Sequence, residues 1–324
     1  MPKQSREEIM CMVGAVNTSN FDGVATRVFE YQKAHNPLYS AYVSLLGEAR
    51  NHPFLPISFF KTHDIRSGQW SEETLFNSSG TTGQIPSQHR VRSLSWYEEN
   101  ARRGFTHNYG DPCEWCFLAL LPNYLERGNS SLVAMTDHFI RCSPYPESGF
   151  FLHDFEQLNK TLRVCQSKKQ KTILLGVSYA LLDFAEQYPG KLQGITIMET
   201  GGMKGQRREI TRTELHDTLQ QAFGTEAIHS EYGMTELFSQ AYAQGGSVFT
   251  PSPTLRVVAT EINDPFCPVV AGRTGVLNMI DLANIDTISF IQTEDVGKVF
   301  ADGSFEVLGR LDAAEMRGCN LMVE

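Results

Sequence analysis

No stretch of this sequence is apolar for long enough to cross a bilayer, because every hydrophobic run breaks well before the roughly 20 residues a spanning helix needs. Positive charge is also scarce. Lys and Arg number 28 against 37 Asp and Glu, a formal net charge of -9, which excludes a broad basic footprint for nucleic acid or anionic membrane. Any anionic ligand must therefore be held by local donors. Cysteine is sparse and irregular: seven residues, an odd number, form no disulfide framework and read as reduced thiols of the cytoplasm. There is no internal repeat, low-complexity tract or long linker, and none of the nine histidines falls in a metal-binding repeat. A secretory leader is not expected. Ile9 to Val16 is apolar, but Glu7 and Glu8 stand where a leader carries positive charge, so the segment reads as a first helix.

What is present is an ordinary globular composition, 41% hydrophobic and 20% charged over 324 residues, enough for a sizeable core. Helices are expected near 5-16, 21-34 and 38-48, followed by the Pro53 to Pro56 stretch and an extended segment. Ser95 with Glu98, and Thr211 with Glu214, read as capping boxes opening helices to about Arg103 and Phe223. Strand-type runs at Cys116 to Leu121, Thr172 to Val177 and Ile195 to Glu199 alternate with helical stretches near 153-165 and 179-188. That alternation predicts an α/β fold with a largely parallel sheet flanked by helices. After about residue 250 the helical periodicity stops, and short runs at 254-262, 275-281, 287-293 and 304-308 predict a small antiparallel or barrel-like β-rich subdomain.

Three segments carry chemistry. Ser78-Ser79-Gly80-Thr81-Thr82-Gly83 exposes backbone N–H groups and hydroxyls between the strand-like Leu75-Phe76 and Pro86, so it reads either as a plain turn or as a cradle for phosphate oxygens. Glu231-Tyr232-Gly233-Met234-Thr235-Glu236 sets a ring, a glycine, a hydroxyl and a carboxylate close together. Tyr232 can stack on a purine, Thr235 can bond phosphate and Glu236 can hold magnesium; the alternative is a turn with a solvated Glu. In Thr293-Glu294-Asp295-Val296-Gly297 the carboxylate of Asp295, placed at a strand end, can accept both ribose hydroxyls, and Arg310 further on can reach ribose or phosphate.

In this order the segments resemble the adenylate-forming superfamily of acyl-CoA synthetases, peptide-synthetase adenylation domains and luciferases. The length, Phe59-Phe60-Lys61, the run Glu199-Thr200-Gly201-Gly202-Met203-Lys204-Gly205 and the ending Arg317-Gly318-Cys319-Asn320-Leu321 resemble, within it, the bacterial acyl-protein synthetase of luminescence systems. The resemblance covers most of the chain from about residue 50. It implies the large N-terminal domain of such enzymes, with layered sheets, and a single adenylation-type domain over 1-324: an α/β core over 1-250, the β-rich part over 251-309 and a tail over 310-324. It implies that Ser78 to Gly83 hold the phosphates of ATP, that Glu199 to Met203 and Tyr232 flank the adenine, that Glu236 coordinates Mg2+, that Asp295 binds the ribose and that Arg310 lies at the hinge end of the site. The implied activity is ATP-dependent activation of a fatty or other carboxylic acid to its acyl-AMP and transfer to the chain's own thiol, with a reductase or carrier protein as partner; the alternatives are an acyl- or aryl-CoA ligase using CoA, and a degenerate fold that only binds ATP or acyl-AMP.

Three departures stand out. Pro86 is followed by Ser87 rather than lysine, Glu294 replaces the glycine of the Thr-Gly-Asp form, and the mobile C-terminal domain with its adenylating lysine is expected to be missing. Lys204 and Lys61 are candidates to replace that cation, or ordinary surface lysines. Cys319 beside Arg317 is a candidate acyl acceptor, or one of several inert cysteines. The resemblance favours the acceptor role. Cys113 and Cys116 have the spacing of a redox pair or half a zinc site, but with no second pair they read as strand-start residues. His138 and His229 are candidates to line the acyl or nucleotide pocket, and the twenty Phe suit an acyl tunnel or a core equally.

Overall fold

A computed structural model describes residues 5–47, 52–78, 85–121, 129–203 and 206–311. The chain opens with helices α1 (Arg6–Gly14), α2 (Phe21–His35) and α3 (Pro37–Leu46), then the short strand β1 (Leu55–Pro56) and the single turn α4 (Phe59–Thr62). A hairpin of β2 (Thr74–Asn77) and β3 (Gln88–Val91) leads into α5 (Leu94–Tyr109). Next come β4 (Cys116–Leu120), α6 (Ser131–Cys142), β5 (Gly149–Phe150), α7 (Phe155–Ser167), β6 (Thr172–Val177), α8 (Ser178–Gln187), β7 (Ile195–Thr200), α9 (Arg212–Phe223) and β8 (His229–Tyr232). Short and long strands complete the described chain: β9 (Ala241–Ala243), β10 (Val248–Pro251), β11 (Leu255–Thr260), β12 (Thr274–Asp281), β13 (Phe290–Val299) and β14 (Phe305–Arg310).

Apart from β2 and β3, which form a two-stranded sheet of their own, the strands form one mixed sheet in the order β11-β12-β13-β14-β10-β9-β8-β7-β6-β4-β5, with β1 joined to β13. Its β5-β4-β6-β7-β8 part is parallel and its β8-to-β11 part is antiparallel. Burial explains the difference in sequence texture. Strands β4 and β6 lie between helices and read as continuous apolar runs, buried at every position, whereas β13 alternates buried and open positions.

The first three helices pack on the antiparallel part, more than 200 positions away in sequence. Helix α2 places Val24, Val28, Tyr31 and Gln32 on one buried face, and each buried Val contributes about 1.5 to 3 kcal/mol. Gln32, fully buried, is saturated: its amide donates to Asn284 O, Ile285 O and Ser289 Oγ, and its oxygen accepts from Ser289 N at 3.0 Å. Arg6 clamps the same β12–β13 connection through paired bonds of 2.6 and 2.7 Å to Asp286.

Three local expectations are corrected. Helix α5 is capped by Ser93, whose hydroxyl accepts from Trp96 N, rather than by Ser95, and it runs to Tyr109 instead of Arg103. The start moves because Glu73 accepts the Leu94 N–H at 2.8 Å, a bond only the folded chain can supply. Strand β13 runs on to Val299, so Asp295 lies inside the strand and not at its end. Finally, Cys113 sits in a 3-10 turn, Pro112–Glu114, before the strand that Cys116 begins, and Cys116 Sγ faces Cys165 Sγ at 4.0 Å.

Candidate functional site

Parallel pairing brings the run Glu199 to Met203 beside the segment Glu231 to Glu236. Strands β7 and β8 are neighbours in register Thr200↔Glu231, so Gly201 to Met203 leave the sheet beside Tyr232, the last residue of β8, and Gly233 and Met234 at its C-terminal edge. This is the edge at which open α/β sheets hold ligands. Gly201 turns the chain there with φ of +67°, a left-handed conformation that favours glycine. Gly233 is crowded for a different reason: a Cβ on it would lie 2.5 Å from Glu231 Oε1, so that carboxylate would have to move. Beneath this edge the polar residues are paired. Thr200 Oγ1 donates to Glu231 Oε2 at 2.5 Å, and Glu199 is surrounded by the Ser178 hydroxyl at 3.3 Å, Arg212 Nε at 3.5 Å and His216 Nε2 at 3.6 Å. Glu199, Thr200 and Met203 are themselves buried, whereas Gly201 and Gly233 are exposed and Gly202, Met234 and Thr235 partly so. The surface offered to a ligand is mostly backbone.

The third segment arrives on antiparallel strands. Asp295 and Arg310 are direct register partners on β13 and β14. The Tyr232 hydroxyl donates to Asp295 Oδ2 at 2.8 Å, and Arg310 Nε donates to Oδ1 at 3.1 Å. Asp295 is almost wholly buried while the Arg310 side chain is 69% exposed, so the guanidinium reaches from an interior carboxylate toward solvent. Burial and the Asp295 charge push the Tyr232 hydroxyl well above its ordinary range, so it remains a donor. Its ring packs against Phe249 and Phe305, at centroid distances of 5.7 and 5.4 Å, and those two rings stack on each other at 5.5 Å. Gly297 lets β13 bulge beside Asp295, since a Cβ there would lie 2.0 Å from Glu306 O.

Glu236 is buried in the same region, and loss of hydration raises its carboxyl above the ordinary value against the opposing influence of the Ser87 hydroxyl bond, Arg310 and Lys61. Its backbone oxygen is held by Asn284 Nδ2 at 2.7 Å, and Asn284 O in turn accepts from Gln32. The next turn is anchored on Asp281, which accepts Phe238 N, Ser239 N, Ser239 Oγ and Ala283 N between 2.6 and 3.1 Å. From behind, His89 Nδ1 donates to Thr235 O at 2.8 Å, which fixes the neutral tautomer and leaves Nε2 to accept from Thr287 Oγ1 at 2.9 Å. Burial pushes this imidazole down to about 4.

The hairpin beside Glu236 is closed by two bonds, Ser78 N to Ser87 O at 3.0 Å and Ser87 N to Ser78 Oγ at 2.8 Å. Ser79, Gly80, Thr81, Thr82 and Gly83, together with Lys204 and Cys319, lie outside the described residues. The structure thus gathers Ser78, Glu199 to Met203, Tyr232 to Glu236, Asp295 and Arg310 about one edge. The charge of Lys61 also reaches Glu236. By contrast, His138 and His229 lie at the other edge: His138 is on α6 against Glu98, and His229 begins β8 against Tyr109. Sequence reasoning missed four supports. Ser87 was read only as a lost charge; His89, Asp281 and Asn284 are polar residues whose roles depend on long-range partners, and the only sequence signal was an acid closing the apolar run of β12.

No family model matches the sequence, and no curated protein matches it. Solved structures match its fold. ATP-bound MatB from Rhodopseudomonas palustris superposes with a TM-score of 0.54 at 16% identity, over 73% of this chain and 47% of that one. 2-Hydroxyisobutyryl-CoA ligase in its postadenylation state with 2-HIB-AMP gives 0.66 at 11% identity, over 91% and 69%. O-succinylbenzoate coenzyme A synthetase (MenE) from Bacillus subtilis with AMP gives 0.52 at 18%, over 74% and 50%. The alignments cover about half of MatB and of MenE. These neighbours are adenylate-forming enzymes, and the mixed α/β fold expected from the sequence is that of their large N-terminal domain.

Proposed function

We propose that this chain is an ATP-dependent ligase that activates a carboxylic acid, in the first instance a fatty acid, as its acyl-AMP and passes the acyl group to a thiol. The observation that carries this reading is the convergence of Tyr232, Asp295 and Arg310 beside Glu236, from three segments of the chain, on the edge where β7 and β8 end in exposed glycines. Asp295 accepts one donor on each oxygen, which leaves a lone pair on each for the two ribose hydroxyls. Gly201, Gly202 and Gly233 admit a flat ring against backbone. The exposed Arg310 guanidinium and the hairpin ends at Ser78 face the same region as Glu236.

The donor set fits magnesium carried with ATP. One carboxylate, Glu236, stands next to the Ser87 hydroxyl, and Mg2+ commonly takes one or two carboxylates plus substrate phosphates. Among the described residues no group of three or more His, Cys, Asp or Glu is placed to hold a metal unaided. Bound there, the ion would neutralise charge on the departing pyrophosphate. The substrate carboxylate oxygen attacks the α-phosphorus, an O–P bond forms and the bond to the β-phosphate oxygen breaks. Lys61, near Glu236, supplies positive charge on the chain's own side. A thiol then attacks the acyl carbonyl, the C–S bond forms, the thiol proton passes to base and AMP leaves.

We assign the thiol to Cys319 on the resemblance to acyl-protein synthetases. CoA is the second reading, because a structural neighbour, 2-hydroxyisobutyryl-CoA ligase, is solved with CoA. Intact-protein mass measurement after incubation with ATP, Mg2+ and a panel of fatty acids distinguishes the two. A hydroxylamine-labile acyl mass that vanishes in Cys319→Ser supports self-acylation. Pyrophosphate release with product formed only when CoA is added supports the ligase. Neither signal with any acid overturns the adenylation reading.

A further inference from the structure

The opposite edge of the parallel strands, away from the nucleotide residues, carries a second reactive arrangement. His138 and Cys142 lie one turn apart on α6, so they share a face. Cys142 Sγ is 3.7 Å from His138 Nε2. The other ring nitrogen lies 3.5 Å from Glu98 Oε2 of α5 and, though buried, makes no hydrogen bond. Glu98 is held in turn by Arg141 at 2.5 Å. Thiol and imidazole therefore stand as nucleophile and base, with the Glu98 carboxylate behind the ring as a charge partner. Burial lowers the basicity of His138, Glu98 and Glu99 raise it, and Arg141 and Arg102 oppose them, so the ring is neutral near pH 7 and available to take the thiol proton.

A second thiol is close by. Cys113 is exposed in the 3-10 turn Pro112–Glu114, and Cys142 is partly exposed at the last position of α6. The two segments are tied where Ser143 Oγ donates to Trp115 O at 2.7 Å, one residue beyond Cys142 and two beyond Cys113. Burial, Asp111 and the neighbouring Cys142 push the Cys113 thiol up, so it stays protonated beside its partner. Among the described residues the remaining exposed thiols, Cys11 on α1 and Cys267 between β11 and β12, lie on other elements.

We propose that Cys142 is a modification site for hydroperoxides, with His138 as its base and Cys113 as the resolving thiol. The Cys142 thiolate attacks one peroxide oxygen; an S–O bond forms, the O–O bond breaks, and the departing oxygen takes the proton held by His138. Sulfur loses two electrons to the peroxide, giving a sulfenic acid and an alcohol or water. The Cys113 thiol then attacks that sulfur; the S–S bond forms, the S–O bond breaks and water leaves. The site is separate from the adenylation residues and does not depend on that reading.

The test uses the full chain with stoichiometric hydrogen peroxide, followed by peptide mapping with and without dimedone. The expected products are a Cys113–Cys142 disulfide in the unmodified protein and a dimedone adduct on Cys142 in Cys113→Ser. His138→Asn should slow Cys142 oxidation roughly tenfold or more while leaving Cys11 and Cys267 unchanged. Glu98→Gln should slow it less, which guards against misreading a His138 variant that folds poorly. Cys142 reacting no faster than Cys11 and Cys267, or a rate indifferent to His138, would overturn the proposal; a sulfenic acid that persists beside Cys113 would overturn the resolving role.

Discussion

Tyr232 and Asp295, 63 positions apart, meet through a 2.8 Å hydrogen bond in which the phenol donates to a buried carboxylate. The bond joins the end of a parallel strand to the middle of an antiparallel one, and so fixes the two halves of the candidate nucleotide site against each other. Tyr232→Phe removes the donor and leaves one Asp295 oxygen with a buried vacancy, at about 1 to 3 kcal/mol. The expected outcome is a lower denaturation midpoint and ATP binding weakened about tenfold by calorimetry. Unchanged affinity would remove Asp295 from the ribose role.

Glu236 gives a prediction in which stability and activity part. Its carboxyl is raised by burial, so ionising it opposes folding, and its contribution to stability is present in acid and lost as pH rises above the ordinary glutamate value. Glu236→Gln should therefore melt at the same or a higher temperature at pH 7 to 8. Acid-dependent pyrophosphate release should fall by about a hundredfold or more. A variant that melts lower and keeps its turnover would mean the carboxylate is structural.

His89 supplies a pH dependence of the opposite sense. With its imidazole lowered from 6.5 to about 4, the folded chain binds fewer protons than the unfolded one between those values. Stability is full above pH 6.5 and is lost as pH falls toward 4, by about 3 kcal/mol in total. In His89→Gln, urea titrations at pH 7 and pH 4.5 should differ by less than in the unmodified chain, although its absolute stability drops at both. An unchanged difference would assign the acid sensitivity to other groups.

Gly297 tests the bulge beside Asp295. A methyl group there meets the Glu306 carbonyl oxygen at 2.0 Å, and a backbone atom held in the β13–β14 ladder cannot swing aside. Gly297→Ala should cost about 1 to 3 kcal/mol and should weaken ATP binding as well, because Asp295 shifts with the strand. A stability loss with ATP affinity intact would show that the strain is absorbed on the β14 side.

Much of the element pattern was legible because it rests on local rules. Thr211 caps α9 by accepting from Glu214 N at 3.1 Å, one of the two bonds of the expected capping box, and the run Thr172 to Val177 is a buried strand over those same residues. The failures have long-range causes. Ser95 satisfied the local capping pattern, yet Glu73 bonding Leu94 N moved the cap to Ser93. Helix α6 is an exception: it was not expected, although Ser130 caps it by accepting from Val133 N and its buried residues Ser131, Met135, Thr136 and Phe139 recur at helical spacing. Asp295 looked like a strand end because polar residues surround it, and pairing on both sides, of Val296 to Lys298 with β12 and of Asp295 to Val299 with β14, keeps it inside the ladder.

The sequence by itself determined the alternation of strands and helices, the break in texture near residue 250 and the three chemical segments, because hydrophobic period, turn chemistry and residue type are properties of neighbours along the chain. Tertiary structure alone decided that Gly201 and Gly233 emerge together, that Tyr232 and Arg310 share one carboxylate, and that Gln32 on the second helix supports Glu236 through Asn284. Those relationships depend on strand order and on buried polar groups finding partners across hundreds of positions, where leaving one unmade costs more than any local preference can return.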